Sequence, residues 1–358
     1  MRVLLLVDRL QHAETRSWLE VITGRLDPRR IQPVVCAARG KDADICLGAR
    51  SLADPRLSLR LRRVLRAHDF ELIHALEPGT GTLAASAGRL AGVPAVLSIY
   101  SIGAILEGAW GRWQLQRWRW RSALSGMARV IVPFEAVRRK LLLITRYPQD
   151  RIAVIYPGYD PPPNGQPPAR ESLNLPDGPL VTMIPEEQPD PGYEHVFDVL
   201  QRVLRRHPAA NLVVAGSGPA VSALQRVVSN IRPAPPIRWL GNAYDPWALL
   251  AVSDVFIDCA LKEHLPQRLM MAALAGKPIV ASRLVSIEEV VEPNVTGLLV
   301  SPGDSGDMAV QVGRLLQYEG LSHRLGRMAR RRALERFSVD AQAGMLTNLY
   351  ESTIYSAR

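Results

Sequence analysis

The sequence predicts an α/β chain built as two parallel sheets, each covered by helices on both faces. Three observations carry this. Short β-rich runs alternate with stretches of helical apolar spacing, a proline-dense stretch splits the chain near its middle, and the alternation then resumes. The 358 residues suffice for two domains with separate cores.

Taken in order, "RVLLLV" is a buried strand, and "TRSWLEVITGRL" has helical spacing. Then come "IQPVVCAA", "FELIHAL", the small-residue helix "GTLAASAGRLAG", "PAVLSIYS", "ARVIVPF", the helix "EAVRRKLLLI" and "IAVIYPG". These make an N-terminal Rossmann-like domain over residues 1–155. Residues 156–179 hold eight prolines, which preclude regular helix, so they are expected as a semi-rigid linker. A second Rossmann-like domain is expected over 180–338. It contains the strand "LVTMIP", the helix "YEHVFDVLQRVLRRHP", the strand and glycine turn "ANLVVAGSGP", and later "DVFIDCA", "RLMMAALAG", "PIVAS" and "GLLVSPGD". Gly276 and Pro278 should end the helix that starts near Gln267. A C-terminal helical segment occupies 339–358. Ligands of open parallel sheets bind beyond the carboxyl ends of the strands, so both domains are expected to face a central cleft.

With 47% hydrophobic and 22% charged residues, the chain reads as globular. Cys36, Cys46 and Cys259 are too few and too scattered for a disulfide framework or a zinc site, which fits a reducing cytoplasm. The first apolar run is too short for a signal peptide or a membrane span. The formal charge of +10 rests on 44 basic residues, only four of them Lys. Either base composition favours Arg codons, or the surface meets acidic partners such as anionic lipid, sugar phosphate or nucleic acid. No recognised RNA or DNA module accompanies the charge.

Six pieces in the second half, in order, are "VIYPGYD", "NLVVAGSGP", "IRWLGNAYDPWALLAVSDVFIDCALKE", "LAGKPIVAS", "EEVVEPNVTGLLVSPGD" and "ALERFS". Together they resemble the family 4 glycosyltransferases of the GT-B fold, retaining enzymes that use nucleotide sugars. The first half is similar more loosely, through "AETRSWLEVITGRLDPRRIQPVVCA" and "FELIHAL". The resemblance implies two Rossmann-like domains and a C-terminal helix that crosses back onto the first. It also implies hexosyl transfer from a nucleoside diphosphate sugar to a lipid-linked or polysaccharide acceptor, with no metal or cofactor. A nucleotide-sugar epimerase shares the architecture, but "TGLLVSPGD" and "ERFS" look like the transferases.

The resemblance also assigns positions. A diphosphate wants Arg, Lys and helix N-terminal amides around it. Gly192 matches a family glycine, but Pro191 stands in the Lys place and Pro185 or Glu186 in the Arg place. Of the family's Glu pair, Glu263 is present for the donor sugar, and Met271 replaces the carboxylate that meets the ribose. His264-Leu265-Pro266 replaces a glycine-rich turn. Gln11-His12 and Val285-Ser286 replace two glycine pairs, and Tyr100 a histidine. Scaffold positions Gly276, Pro278, Gly297 and Asp304 are kept. Candidate donor residues are therefore Glu263, Leu265, Gln267, Gly216, Arg268 and Lys277. Two functions follow: a transferase with a changed donor site, or a pseudo-glycosyltransferase that binds or regulates a protein partner.

Each candidate has a plainer reading. Glu263 would pair with Lys262 or Arg268 on the surface. Arg268 and Lys277 would be solvated or pairing charges, and the Gly216 turn simple turn chemistry. His12, His74, His195 and His264 lack metal-ligand spacing. In Leu106–Leu124, "LEGAWGRWQLQRWRWRSAL", Trp110, Trp113 and Trp120 share a helical stripe with Arg117. That stripe suits an anionic membrane surface at the inner face of the membrane, or a helix packed on its domain, or a lid on the acceptor side.

Overall fold

The computed structural model describes the chain except residues 11–18, 20–22, 100–119, 122–123, 162–169, 187–188, 232–234, 243 and 358. Two units emerge: Met1–Gly158 together with Val339–Arg358, and Tyr159–Ser338.

The first unit contains β1 (Arg2–Val7), β2 (Gln32–Ala37), β3 (Ile45–Cys46), α1 (Leu57–Ala67), β4 (Leu72–Ala75), α2 (Pro78–Ala91), β5 (Ala95–Ser98), β6 (Arg129–Val132), α3 (Glu135–Thr145) and β7 (Ile152–Val154). Its sheet runs β3-β2-β1-β4-β5-β6-β7, with every neighbouring pair parallel. The uninterrupted apolar run of β1 is what a strand covered on both faces needs, and all of it after Arg2 is buried. In α1 the buried residues are Leu57, Leu61 and Leu65, a spacing that leaves its arginines on the outer side.

The second unit contains β8 (Leu180–Met183), α4 (His195–Leu204), β9 (Asn211–Ala215), α5 (Pro219–Ser229), β10 (Ile237–Leu240), α6 (Pro246–Val252), β11 (Val255–Asp258), α7 (Gln267–Leu274), β12 (Ile279–Ser282), α8 (Val285–Val290), β13 (Leu298–Val300), α9 (Ser305–Gln317) and α10 (Glu319–Phe337). Its sheet, also parallel throughout, runs β10-β9-β8-β11-β12-β13. Gly276 takes φ +71° just past α7, and Asp304 caps α9 by accepting the Asp307 N–H at 2.8 Å. Much of the stretch expected as a linker belongs to this unit. Arg170 opens a 3₁₀ turn, and its guanidinium donates to the Asp254 carboxylate at 2.8 Å and the Val252 carbonyl at 2.9 Å.

The last helix, α11 (Val339–Ala357), joins the first unit's core. Val339, Ala343, Leu346, Leu349 and Tyr350 pack with Val3, Leu5, Leu72, Val96 and Ile131. The fully buried His74 of β4 lies 2.7 Å from the Tyr350 hydroxyl and 2.7 Å from Ser98 Oγ, so both ring nitrogens are satisfied. Burial pulls the His74 pKa down to about 3. His74 is thus a structural histidine. Farther out, Arg30 makes a bidentate pair with Glu351.

Candidate functional site

In the second sheet β8 lies between β9 and β11, so strand order reverses there. Loops after β8 and β11 meet at that reversal, the usual ligand position of doubly wound sheets. One carboxylate ties them together. Asp190 Oδ1 accepts the N–H groups of Gly192 at 2.7 Å and Leu261 at 2.9 Å, and Oδ2 accepts that of Lys262 at 2.9 Å. Gly192 permits the approach, because a Cβ there would stand 2.2 Å from the Cys259 carbonyl oxygen and 2.6 Å from Leu261 N. Pro191 begins the 3₁₀ turn Pro191–Glu194, where a missing N–H costs nothing.

Glu186 follows β8 and reaches the start of α7. Its Oε1 accepts the backbone N–H of Arg268 at 3.2 Å, and its own N–H donates to the Tyr193 hydroxyl at 3.3 Å. Burial pushes the Glu186 pKa up to about 7, against the lowering pull of the Arg268 amide and the His264 and Arg268 charges. His264 is held between the Lys262 carbonyl and Asp258 Oδ2, 3.2 Å from each. Burial works against its charge, yet the Asp258 carboxylate outweighs burial and raises the imidazole to about 9. Tyr159 and Tyr244, both raised by burial, also feel Glu186 and Arg268. The cluster therefore sets Arg268 and an Asp258-paired His264 around the reluctantly ionised Glu186.

The remaining candidates fall in distinct places. Glu263 pairs with neither Lys262 nor Arg268. It caps α8 instead, accepting the N–H of Val285 at 2.7 Å and of Ser286 at 3.0 Å. Met271 is buried, and its sulfur lies 3.7 Å from Arg268 Nη1. Arg268 Nε is buried and has no partner among the described residues. Leu265 turns the chain into α7, its carbonyl accepting the N–H of Gln267, the first helical residue, at 2.8 Å. Lys277 does not join the cluster: its ammonium donates to the Ala251 and Ser253 carbonyls at 2.7 and 3.0 Å, closing the end of α6, and burial lowers its pKa. Gly216 and Gly218, at φ +118° and +90°, form the turn between β9 and α5. Trp120 is buried. Gln11, His12, Tyr100, Trp110, Trp113 and Arg117 lie outside the described residues. Among the described residues no cluster of His, Cys, Asp or Glu has metal-holding geometry.

By the resemblance, Glu186 stands in or beside the family's Arg place and Asp190 precedes the Lys place held by Pro191. Glu186 and Asp190 instead accept backbone N–H groups, work that needs a carboxylate. The Asp-Pro-Gly order at 190–192 is the sequence signal that was available for this turn. The Asp258–His264 pairing, six residues apart across a loop, had none.

Residues 166–332 match the family Glycosyl transferases group 1, and residues 12–162 match Glycosyltransferase Family 4. The chain belongs to the family 4 glycosyltransferases. Over 312 residues it is 25% identical to the GDP-mannose-dependent α-(1-6)-phosphatidylinositol monomannoside mannosyltransferase of Mycolicibacterium smegmatis, covering 83% of this chain and 81% of that one. Over 309 residues it is 23% identical to the α-D-kanosaminyltransferase of Streptomyces kanamyceticus, covering 82% and 80%. The same GT-B fold occurs in Anabaena HepE, solved with UDP and glucose, with TM-score 0.75, 19% identity and 98% and 100% of the two chains covered. A Rickettsia africae glycosyltransferase matches with TM-score 0.75 at 16% identity, covering 99% and 98%. Within this family 4 chain the acid cluster sits at the switch point of the group 1 half.

Proposed function

We propose that the chain transfers a hexose from a nucleoside diphosphate sugar to a glycan or lipid-linked acceptor, using a rearranged set of donor contacts. One observation carries this: at the switch point His264 and Arg268 flank a carboxylate seated on the first turn of α7. A donor phosphate arriving at the start of α7 would meet the Arg268 amide and the Arg268 and His264 charges that now act on Glu186. In the transfer the bond from the anomeric carbon to the diphosphate oxygen breaks. A bond to the acceptor hydroxyl forms, that hydroxyl's proton leaves, and negative charge builds on the diphosphate. Arg268 and His264 are the cations that would stabilise it. The acceptor class follows the family and the mycobacterial relative, whose name specifies a phosphatidylinositol mannoside.

A second reading has its own support. Glu186, Asp190 and Glu263 already occupy amides that a phosphate or sugar would use, which fits a non-catalytic member acting as a binding or regulatory partner. Titration calorimetry with UDP, GDP and their sugars decides. Micromolar binding that weakens in Arg268→Ala, with turnover of the bound donor, supports transfer. Absence of binding both in the native protein and in Glu186→Gln supports the second reading and ends the first.

A further inference from the structure

The second sheet carries a groove at the end opposite its switch point. All its strands are parallel, so β9 and β10 begin at the end away from the loops that follow β8 and β11. There a groove of about 340 Å³ opens beside β10, the edge strand. Arg238 of β10 pairs with Val213 of β9, so Arg238 and Asn211, two residues before Val213, fall on one face of the sheet. Both line the groove, and Asn174 is its third polar side chain. Leu175, Pro176, Pro236 and Ile237 supply the apolar wall, and no Asp or Glu is among the lining residues.

Arg138, Arg238, Arg268 and Arg332 each have a buried Nε without a partner among the described residues. Arg138 and Arg332 pair through Nη1 with Glu135 and Glu292, and Arg268 Nη1 reaches the Met271 sulfur. Arg238 engages nothing among the described residues. A buried N–H without an acceptor is costly, and a ligand that brings one recovers that cost. The two asparagines say what else the ligand must carry. Asn211 Nδ2 donates to the Asp177 carbonyl at 2.9 Å and the Ala209 carbonyl at 3.0 Å. Both amide hydrogens are thus used, and Oδ1 remains as an acceptor for a hydroxyl. Asn174 is exposed at φ 52°, and its side chain, without a partner among the described residues, can donate and accept.

We propose that this groove binds a pyranose bearing a carboxylate, at a site separate from the donor contacts. Arg238 takes the carboxylate, the asparagines take ring hydroxyls, and the apolar wall takes the C–H face of the ring. Arg238 is the only cation among the lining residues, which suits one negative charge better than the two of a phosphate. A neutral sugar would leave Arg238 Nε unpaired, and a bare anion would leave Asn211 Oδ1 and the apolar wall unused. The ligand is either a free sugar acid or one unit of an acidic glycan. The proposal rests on neither reading of the donor side.

The test is ligand-observed NMR on the full chain with glucuronate, glucose and an oligogalacturonate. Glucuronate is expected to bind in the millimolar range and glucose not to bind. Arg238→Met keeps the aliphatic stem, removes the charge and weakens glucuronate by about tenfold. Asn174→Asp, a residue that tolerates the left-handed region, weakens it by about fivefold through like charge. Arg268→Ala leaves it unchanged. Thermal melts check that each variant folds, and Asn174→Asp carries the test if Arg238→Met melts early. Oligogalacturonate binding more tightly than glucuronate, and weakened by the same variants, upholds the proposal with a glycan as the source. Equal or weaker binding upholds it with a free sugar acid. Glucose binding as well as glucuronate overturns it, as does no binding of either anionic probe. So does binding that falls in Arg268→Ala and in neither groove variant.

Discussion

Glu186 and Arg268 meet through the backbone: the carboxylate accepts the Arg268 N–H at 3.2 Å, while the Arg268 guanidinium turns toward Met271. The resemblance puts Pro185 or Glu186 in the family's Arg place, and Glu186 is the carboxylate that reaches α7. Because burial raises Glu186 from 4.5 to about 7, the folded state binds its proton more tightly than the unfolded chain. Its contribution is fully present below pH 4.5 and is lost as pH rises through 7. Glu186→Gln should remove this slope and leave the protein more stable than the native chain above pH 7. Urea denaturation across that pH range measures it.

The same carboxylate bears on ligand binding. With Glu186 neutral, one negative charge beside Arg268 and His264 is removed, although His264 keeps its pairing with Asp258. UDP or GDP affinity should therefore increase as pH falls below 7, and the dependence should vanish in Glu186→Gln. Calorimetry at several pH values reads this directly, and a flat native profile contradicts it.

His264 owes its charge to Asp258. In Asp258→Asn burial remains, so the imidazole should titrate well below 9, by NMR. In the native chain the raised pKa stabilises fully below 6.5, and this is lost as pH rises through 9.

Met271→Glu does not restore an ordinary donor site. The sulfur lies 3.7 Å from Arg268 Nη1, and Nε of the same guanidinium lacks a partner among the described residues. A carboxylate there pairs with Arg268 and withdraws it from the ligand. Donor affinity should fall by about tenfold, a loss of about 1.4 kcal/mol, whereas Met271→Leu leaves it unchanged.

Tyr350→Phe strips His74 Nδ1 of its partner inside the first core and should cost about 1–3 kcal/mol in chemical denaturation. Because His74 is held near 3, the native fold loses stability as pH falls from 6.5 toward 3.

The architecture was legible because strand and helix periodicities differ, and because parallel strands buried on both faces read as apolar runs such as "RVLLLV". Glycines with one permitted role were legible too, as at Gly276. The site was less so. Glu263 read as a sugar contact or a surface ion pair, yet its partners are the amides of Val285 and Ser286, 22 and 23 residues away. Lys277 read as a cation for phosphate, yet it meets carbonyls at the end of α6. Spacing along a chain reports periodic burial well, but it does not say which backbone group a long polar side chain reaches across loops.

That α11 completes the first core has a consequence for synthesis. Residues 159–338 are contiguous and emerge from the ribosome before Leu346, Leu349 and Tyr350 exist to cover Val3, Leu5 and Leu72. The amino-terminal half thus waits, with apolar surface bare, while the later half matures. A nascent chain stalled before residue 339 would be a natural client for a holdase, and release of the full-length polypeptide would end that need.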